Sequence, residues 1–506
     1  MRKALDHRGP PRSDHAPPPL LASTDALLVQ GGDARLTLDP SDGVNRYGCP
    51  PAPVTHGLDF ASSTASIISG PAYRAADALR RRLARACARD GDGVVYAREL
   101  DALRAELLVL NRLDDVRGLE IVFAASGTDL HLIVAELVGG EPDNPLLCLA
   151  VEAEETGSGV PRALCGRHFS DRAALGEAVA PGESIGVPSS EFVAVPARGP
   201  DGALRAGADI ETALDALVLA ASQAGRRALL TIADVSKTGL IAPGLEAVMA
   251  LRRRFPRTLE VLVDACQFRL SPATLRAYLA AGLMVAVTGS KFLTGPTFSG
   301  ALFIPDPVAK RLKGRLLKPG FGLYSARAEW PAGWVAGAAL PQVANFGLLM
   351  RWRAATVELA ALRALPETQV AAFLGAFADA VEARLAVDPM FEPVATRVLD
   401  RRAIGARQGW DTIPTIFAFR LRAGASCDAG FLGAAQVQEV YQQLRRAGVR
   451  LGQPVSCGAA GGALRLCASA RLVVQALSEG AAGAEAVIAD AMAALDAAAD
   501  AAREQG

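Results

Sequence analysis

The clearest indication of the fold is the segment Val261-Leu262-Val263-Asp264-Ala265-Cys266-Gln267, in which a short apolar run ends in a carboxylate. A valine-rich run of this length is typical of a strand buried on both faces of a parallel sheet. A carboxylate at its end is costly to bury unless a cation or a hydrogen-bond donor satisfies it. Asp264 is therefore either a helix cap ahead of Ser271 and Pro272 or the partner of a cation, and the segment alone leaves both open.

Short apolar runs alternate with amphipathic stretches from about residue 119 onward. This alternation predicts βα units around a largely parallel sheet. The predicted strands cover residues 119–124, 146–151, 228–233, 259–264, 283–288 and 301–304. The predicted helices cover residues 129–137, 244–254 and 272–281.

The length of 506 residues leaves room for two or three domains. We expect an α/β fold with a large domain over residues 26–350, built on a mostly parallel central sheet, and a smaller C-terminal α+β domain over residues 351–506. In the latter we predict strands at 415–421 and 463–468, a helix at 435–446 and a terminal helix within 480–505. Residues 1–25 combine prolines with charges, which predicts a disordered arm.

Composition excludes several classes of function. Lysine and arginine (53) balance aspartate and glutamate (53), so no global positive field favours nucleic acid as a partner. No run of eighteen uncharged apolar residues or secretory h-region occurs, so we expect neither membrane spanning nor secretion. The cysteines form no CxxC pair, which predicts reduced thiols in a cytoplasmic protein. The histidines are scattered and form no metal-binding motif, so no metal site is expected.

Polar residues follow three predicted strands, at the edge where open α/β sheets hold ligands. Ala125-Ser126-Gly127-Thr128-Asp129 can begin a helix whose amides and hydroxyls bind a phosphate, or it can be ordinary capping. Val287-Thr288-Gly289-Ser290-Lys291-Phe292 places two hydroxyls and a lysine after another strand, although a lone lysine is usually a surface residue. An aspartate, a lysine and a phosphate site are together what pyridoxal phosphate requires: a Schiff base, a partner for the pyridine nitrogen and an anion cradle.

In this order the motifs resemble the class V aminotransferases of the fold type I pyridoxal-phosphate enzymes, a group that includes cysteine desulfurases. The resemblance spans about residues 57–470. It implies that Lys291 is the catalytic lysine that binds the cofactor, that Asp264 pairs with its pyridinium and that Gln267 hydrogen-bonds its phenolic oxygen. The residues implied to bind the cofactor at its phosphate end are Gly127, Thr128, Thr288 and Ser290.

The resemblance also implies a substrate site and a quaternary structure. Gly57-Leu58-Asp59-Phe60-Ala61-Ser62-Ser63-Thr64 is similar to a segment that lies near the substrate in the group, so Ser63 is a candidate contact. Gly461-Gly462-Ala463-Leu464-Arg465-Leu466 is similar to the strand whose arginine binds the α-carboxylate. A planar guanidinium suits that role because it grips both oxygens. A homodimer with sites at its interface is the implied assembly.

Three positions depart from the group's pattern. Thr156 stands where a histidine usually stacks on the cofactor ring. Lys237 stands where desulfurases carry asparagines; it either faces solvent or points inward, toward a substrate carboxylate or as a proton relay. Val455 replaces the nucleophilic cysteine of one desulfurase branch, and only a shifted loop would let Cys457 or Cys427 serve instead.

The sequence therefore predicts an enzyme that binds a small amino acid as an external aldimine and uses Lys291 as the base at the α-carbon. An aminotransferase or a lyase is the favoured reaction type. The alternatives are desulfurase-type sulfur transfer and, in another class, a non-catalytic regulator that binds pyridoxal phosphate.

Overall fold

A computed structural model describes residues 21–54, 57–186, 189–424, 430–459 and 461–505. The strands are β1 Leu58–Phe60, β2 Glu120–Ala124, β3 Leu146–Ala150, β4 Ser190–Ala194, β5 Ala228–Asp234, β6 Ile241–Ala242, β7 Leu259–Ala265, β8 Met284–Thr288, β9 Gly300–Ile304, β10 Phe391–Pro393, β11 Ile416–Leu421, β12 Val449–Ser456 and β13 Gly462–Cys467. The helices are α1 Thr24–Leu28, α2 Gly70–Asp90, α3 Asp92–Leu110, α4 Gly127–Val138, α5 Val160–Leu164, α6 Gly207–Gln223, α7 Leu245–Arg254, α8 Pro272–Ala280, α9 Asp306–Leu312, α10 Val335–Ala338, α11 Phe346–Arg363, α12 Glu367–Val387, α13 Ala434–Arg446, α14 Ala470–Ser478 and α15 Gly480–Arg503.

The larger sheet has the strand order β2-β9-β8-β7-β5-β3-β4, with β6 beside β5. Strands β3, β4, β5, β7 and β8 are parallel, whereas β9 runs antiparallel to both of its neighbours, β2 and β8. Only residues 289–299 join β8 to β9, and they contain no helix. A parallel return needs a longer crossover, so this short link makes β9 antiparallel. The sequence predicted the strand but not its direction.

A second sheet has the order β1-β12-β13-β11-β10. Strand β1 pairs in parallel with β12, so a segment from the first 60 residues joins strands from the last 120. Strand β12 replaces the loop that the desulfurase resemblance implied around Val455, and a bulge interrupts its pairing with β13 between Gly452 and Val455. The domain boundary at residue 350 stays a prediction.

Helix α2 was not predicted, although its boundaries carry ordinary signals. Ser69 caps it by accepting a hydrogen bond from the amide of Ala72, and Gly91 ends it with φ of 82°. Its buried positions, 72, 76, 79, 83 and 86, follow the helical repeat. Three of the five are alanines, which give a weak apolar signal in the sequence.

Two predictions concern the chain ends and membranes. Residues 1–20 of the predicted arm and Cys427 lie outside the described residues. Helix α1 begins at Thr24, inside the predicted arm, with Ser23 as its cap. Among the described residues, no helix combines the length and the apolar character needed to cross a bilayer.

A buried arginine ties the N-terminal segment to the larger sheet. Arg351 on α11 donates to the carbonyl oxygens of Leu28 (3.2 Å) and Gly31 (2.6 Å), and also to those of Gln30 and Phe298. These carbonyls come from two segments that are far apart in sequence. The guanidinium, with its fan of donors, therefore fixes the segment after α1 against the β8–β9 connection.

We expect Arg351→Met to destabilise the fold by about 3 kcal/mol, because it leaves several buried carbonyls without a donor. Equilibrium urea denaturation measures the loss. Arg353→Met is the matched control, since Arg353 lies two residues on along the same helix in a half-exposed ion pair with Glu106. Arg353→Met should lower the free energy of unfolding by no more than about 1 kcal/mol. Equal losses in the two variants would contradict a special role for Arg351.

Candidate cofactor site

A cavity of about 190 Å³ lies at the carboxyl ends of β7 and β8, beside the first turn of α4. It brings together ten of the residues that the sequence predicted for the site: Ser63, Gly127, Thr128, Thr156, Lys237, Asp264, Thr288, Ser290, Lys291 and Arg465. Gln267 is buried next to it and does not line it. Of the two orientations considered for Lys237, the structure has the inward one.

The first turn of α4 closes one end of the cavity. Ser126 caps the helix by accepting from the amide of Asp129 (3.3 Å). A Cβ on Gly127 would lie 2.6 Å from the Cys266 sulfur, so glycine is what lets the helix begin against the end of β7. The exposed amides of such a turn, with the dipole behind them, favour an anion.

Three hydroxyls stand beside that turn. Those of Thr128 and Ser290 line the cavity without a hydrogen-bond partner among the described residues, so both can donate to an anion. Thr288 instead donates its one hydroxyl proton to the Cys266 carbonyl (2.6 Å). Thr288 would have to release that carbonyl in order to donate to a phosphate.

Asp264 at the end of β7 has a partner that the sequence reading missed. Nε2 of His131 lies 3.3 Å from Oδ2 of Asp264, and Nδ1 of His131 lies 2.8 Å from the Gly127 carbonyl oxygen. A carbonyl only accepts, so Nδ1 carries a proton, and a second proton on Nε2 lets the ring face the carboxylate. The two side chains form an ion pair in the cavity wall.

The pKa values of the pair reflect this contact. Burial lowers the pKa of His131, but the charge of Asp264 outweighs burial and places that pKa above its ordinary 6.5. Burial raises the pKa of Asp264, and the opposing effects of His131 and Lys291 take it well below its ordinary value. Asp264 is therefore a carboxylate at neutral pH. Its role as a helix cap, left open by the sequence, is not the one seen.

Three cations face the cavity from other sides. Arg465 on β13 donates to Thr64 Oγ1 (2.9 Å) and to the Gln453 carbonyl (2.7 Å). Lys237 donates from Nζ to the Ala153 carbonyl (2.8 Å). Burial lowers the pKa of Lys237 to about 8, with repulsion from Arg465 and Lys291 acting in the same direction. Burial also lowers the pKa of Lys291, although Cys266 and Asp264 oppose it.

Several buried polar atoms lack a hydrogen-bond partner among the described residues, and two of them at this site are Thr156 Oγ1 and Gln267 Oε1. His131 Nε2 is another, since only the 3.3 Å ion-pair distance joins it to Asp264. The amide nitrogen of Gln267 donates to the Ser63 carbonyl (3.1 Å), which holds that side chain in place. Buried polar groups in native proteins are almost always satisfied, so unsatisfied ones beside a cavity point to a ligand with polar atoms.

The N-terminal segment supplies a further wall that no motif indicated. Arg35, Arg46 and Tyr47 line the cavity. The Arg35 guanidinium stacks 4.4 Å from the ring centre of Phe298 and reaches to 3.4 Å from Ser126 Oγ, so it lies at the α4 end. Arg35 lies 91 positions before Ser126, and nothing local in the sequence marks any of the three residues as part of the site.

The cysteines bear on sulfur chemistry. Cys266 is the thiol that lines the cavity among the described residues, and Cys457 does not. Burial raises the pKa of both thiols, and Asp264 raises that of Cys266 further. A thiol with a raised pKa is a poor nucleophile at neutral pH. Val455 is a buried residue of β12, at the end of the bulge in that strand, so the position that the resemblance placed in a loop belongs to a strand and carries no thiol.

The His131–Asp264 pair predicts a pH-dependent stability of the cofactor-free protein. Because the folded pKa of His131 is raised, its contribution is full below about pH 6.5 and is lost as pH rises through the folded value. Because the folded pKa of Asp264 is lowered, its contribution is full above about pH 3.8. The difference in unfolding free energy between wild type and His131→Gln should therefore shrink from pH 5.5 to pH 9.

Urea denaturation across that range measures it. His168→Gln is the control, because burial lowers the pKa of His168 and its difference from wild type should grow with pH. A pH-independent difference for His131→Gln would contradict the ion pair.

Comparison with known proteins finds similarity in structure alone. No protein-family model matches the sequence, and no curated protein matches it. The chain is similar to the complex between the cystine C-S lyase C-DES and its reaction product cysteine persulfide, with 16% identity, a TM-score of 0.55 and coverage of 86% of this chain and 97% of that one. A C-DES mutant with glycine covalently linked to its pyridoxal-phosphate cofactor gives 16% identity, a TM-score of 0.54 and coverage of 86% and 96%.

A NifS-like protein is also similar, with 13% identity, a TM-score of 0.53 and coverage of 87% of this chain and 100% of that chain. At these identities the similarity concerns the fold. The α/β class with a mostly parallel central sheet, predicted from the sequence, is confirmed over most of the chain.

Proposed function

We propose that the chain is a pyridoxal-phosphate-dependent enzyme that acts on a small amino acid as an aminotransferase or a lyase. One observation carries the proposal: a carboxylate kept ionised by His131 and a lysine with a lowered pKa face the same cavity at the first turn of a helix. The sequence also allowed Lys291 to be a surface residue and Asp264 to be a helix cap. Neither of those roles would bring the two side chains to the same cavity.

The residues present fit the cofactor. The phosphate would be held at the first turn of α4 by Gly127, Thr128 and Ser290, and by Thr288 once it releases the Cys266 carbonyl. Asp264 would pair with the ring nitrogen, and Lys291 with the aldehyde. Thr156 and Gln267 bring the unsatisfied polar atoms that such a ligand would pair with. When bound, pyridoxal phosphate supplies an aldehyde that condenses with amines and a ring that withdraws electrons from the α-carbon.

The chain's own residues provide binding and proton transfer. The lowered pKa of Lys291 makes its Nζ a base able to remove the α-proton of a bound amino acid. Arg465 would bind the α-carboxylate and hold the α-carbon in register, with Ser63 lining the same cavity. The charge of His131 keeps Asp264 ionised, so Asp264 would offer a negative group to the ring nitrogen of the cofactor.

A lyase or an aminotransferase is favoured over thiol-dependent desulfuration. The similar structure C-DES is named as a cystine C-S lyase, which supports lyase chemistry on this fold. The raised pKa values of Cys266 and Cys457 and the place of Val455 in a strand argue against a persulfide-forming cysteine among the described residues. A non-catalytic regulator is the alternative from another class, and it would bind the cofactor without forming product.

Two proposals concern the setting of the protein. The cysteines in the described residues are free thiols, which supports a reducing compartment such as the cytoplasm. A homodimer, implied by the family resemblance, stays a prediction.

The cofactor lysine is tested by Lys291→Ala. Wild-type protein loaded with pyridoxal phosphate and treated with borohydride should carry one pyridoxyl adduct on the Lys291 peptide, read by mass spectrometry, and Lys291→Ala should carry none. Lys237→Ala is the matched control, because it removes the other lysine of the cavity and should keep the adduct. An adduct that moves to Lys237, or protein that takes up no cofactor, would overturn the proposal.

The reaction type is tested by a product screen over the common amino acids and cystine, assaying keto acid, ammonia and sulfide. We expect keto acid from at least one substrate, and Cys427→Ser/Cys457→Ser should keep the turnover within about threefold, since neither thiol is needed. A loss of a hundredfold or more in that variant would favour desulfuration. Shifts in the cofactor spectrum with no product from any amino acid would favour the regulator.

A further inference from the structure

We propose that Lys237 determines specificity by binding a second anionic group of the substrate, so that the enzyme acts on a small amino acid whose side chain ends in a carboxylate, sulfinate or phosphate. The inference rests on the proposed function, because it takes Arg465 as the site of the α-carboxylate and Lys291 as the residue that binds the cofactor.

The position of Lys237 is fixed at three points. Its backbone amide donates to the Glu155 carbonyl (2.9 Å), and its own carbonyl accepts from Arg465 Nη1 (3.4 Å). Its Nζ donates one hydrogen to the Ala153 carbonyl (2.8 Å). An ammonium carries three hydrogens, so two remain for a ligand in the cavity that the side chain lines.

In the part of the chain that the structure describes, Lys237 has no ion pair inside the cavity: the carboxylates whose charges act on it, Glu154 and Glu155, do not line that space. Asp264 is the one carboxylate among the described residues that line it, and Asp264 is paired with His131. Lys237, Lys291 and Arg465 line the same cavity. Burial lowers the pKa of each, and repulsion from Arg465 lowers the pKa values of Lys237 and Lys291 further. Lys237 and Lys291 are half-buried and Arg465 is buried, and cations withdrawn from water without a carboxylate partner in the cavity call for an anionic ligand.

The proposed ligands account for all of these cations except Lys237. The cofactor's phosphate belongs at the α4 end, which Arg35 also approaches. Arg465 is committed to the α-carboxylate, because its hydrogen bonds to Gln453 and Thr64 orient the guanidinium in the cavity wall. Lys291 would be bound to the aldehyde of the cofactor. A second anionic group on the substrate is what remains to pair with Lys237.

A positive rim strengthens the case. Arg46 is exposed at the cavity and has no ion pair among the described residues. A cleft lined by charges of one sign raises the local concentration of ligands of the opposite sign. Neutral amino acids would gain nothing from Lys237 or Arg46, whereas acidic ones would gain from both.

The test compares acidic and neutral amino acids on full-length protein loaded with pyridoxal phosphate. L-aspartate, L-cysteine sulfinate and O-phospho-L-serine are titrated against L-alanine and L-serine, and dissociation constants are taken from the absorbance of the bound cofactor. Succinate, which has no amino group and cannot react, is titrated by calorimetry as a second measure of binding. The variants are Lys237→Met, Lys237→Arg and, as control, Lys310→Met, an exposed lysine on α9.

We expect wild type to bind at least one acidic amino acid tenfold or more tightly than alanine, and the preferred one identifies the carboxylate, sulfinate or phosphate. Lys237→Met should lose that preference while its affinity for alanine changes by no more than about twofold. Lys237→Arg should retain most of the preference, and Lys310→Met all of it. Succinate should follow the acidic amino acids if a carboxylate is preferred.

Three results would overturn the inference. The first is that wild type binds acidic and neutral amino acids equally well. The second is that Lys237→Met weakens the binding of alanine and of aspartate by the same factor. The third is that Lys237→Met leaves every affinity unchanged and lowers only the turnover. The second result would mean that Lys237 shares the α-carboxylate with Arg465, and the third that it relays protons. In each case the borohydride adduct on Lys291 persists, so failure of this inference is distinct from failure of the proposed function.

Discussion

The structure of the site depends on one buried charge, the carboxylate of Asp264 at the end of β7. A charge in that position is tolerated only with a cation at hand, and His131 supplies it. His131 reaches Asp264 because α4 begins at Gly127, one turn earlier, against a strand end that has no room for a side chain. The glycine, the helix start and the histidine therefore form one arrangement, and the anion cradle is its outer face.

The cavity wall opposite Asp264 carries positive charge that no carboxylate among the described cavity residues neutralises. Arg465 and Lys237 are held there by backbone carbonyls and a hydroxyl, not by carboxylates. Carbonyls orient a cation without neutralising it, so the wall keeps its positive charge and its repulsion. Binding sites commonly lower the folding stability of a protein in this way. A ligand that binds only the folded state raises that stability again.

The sequence predicted more of the sheet than of the site. The carboxyl ends of parallel strands meet at one edge of a sheet, so the sequence alone predicts that residues at the ends of β7 and β8 lie close together. Asp264 and Lys291 do face one cavity. His131 could not be found this way, because a histidine in a helix buried on nearly every side breaks no pattern. Arg35 and Tyr47 reach the cavity through contacts distant in sequence. The direction of β9 follows from the short link before it, which is too short for a parallel crossover.

The two ends of the cavity come from different sheets. The end that holds Asp264 and Lys291 is built on β7, β8 and α4. Arg465 lies on β13 of the second sheet, which β1 joins to the segment that carries Thr64. Arg269 fixes the two against each other, since its guanidinium donates to the carbonyls of Thr415 and Ala468 and to Ser62. Under the proposed function, the larger sheet supplies the residues that act on the reacting bonds, whereas Arg465 from the second sheet and Lys237 from the connection between β5 and β6 would select the substrate. A change at Lys237 would then alter the substrate and leave Asp264 and Lys291 in place, which is how one fold accommodates many reactions.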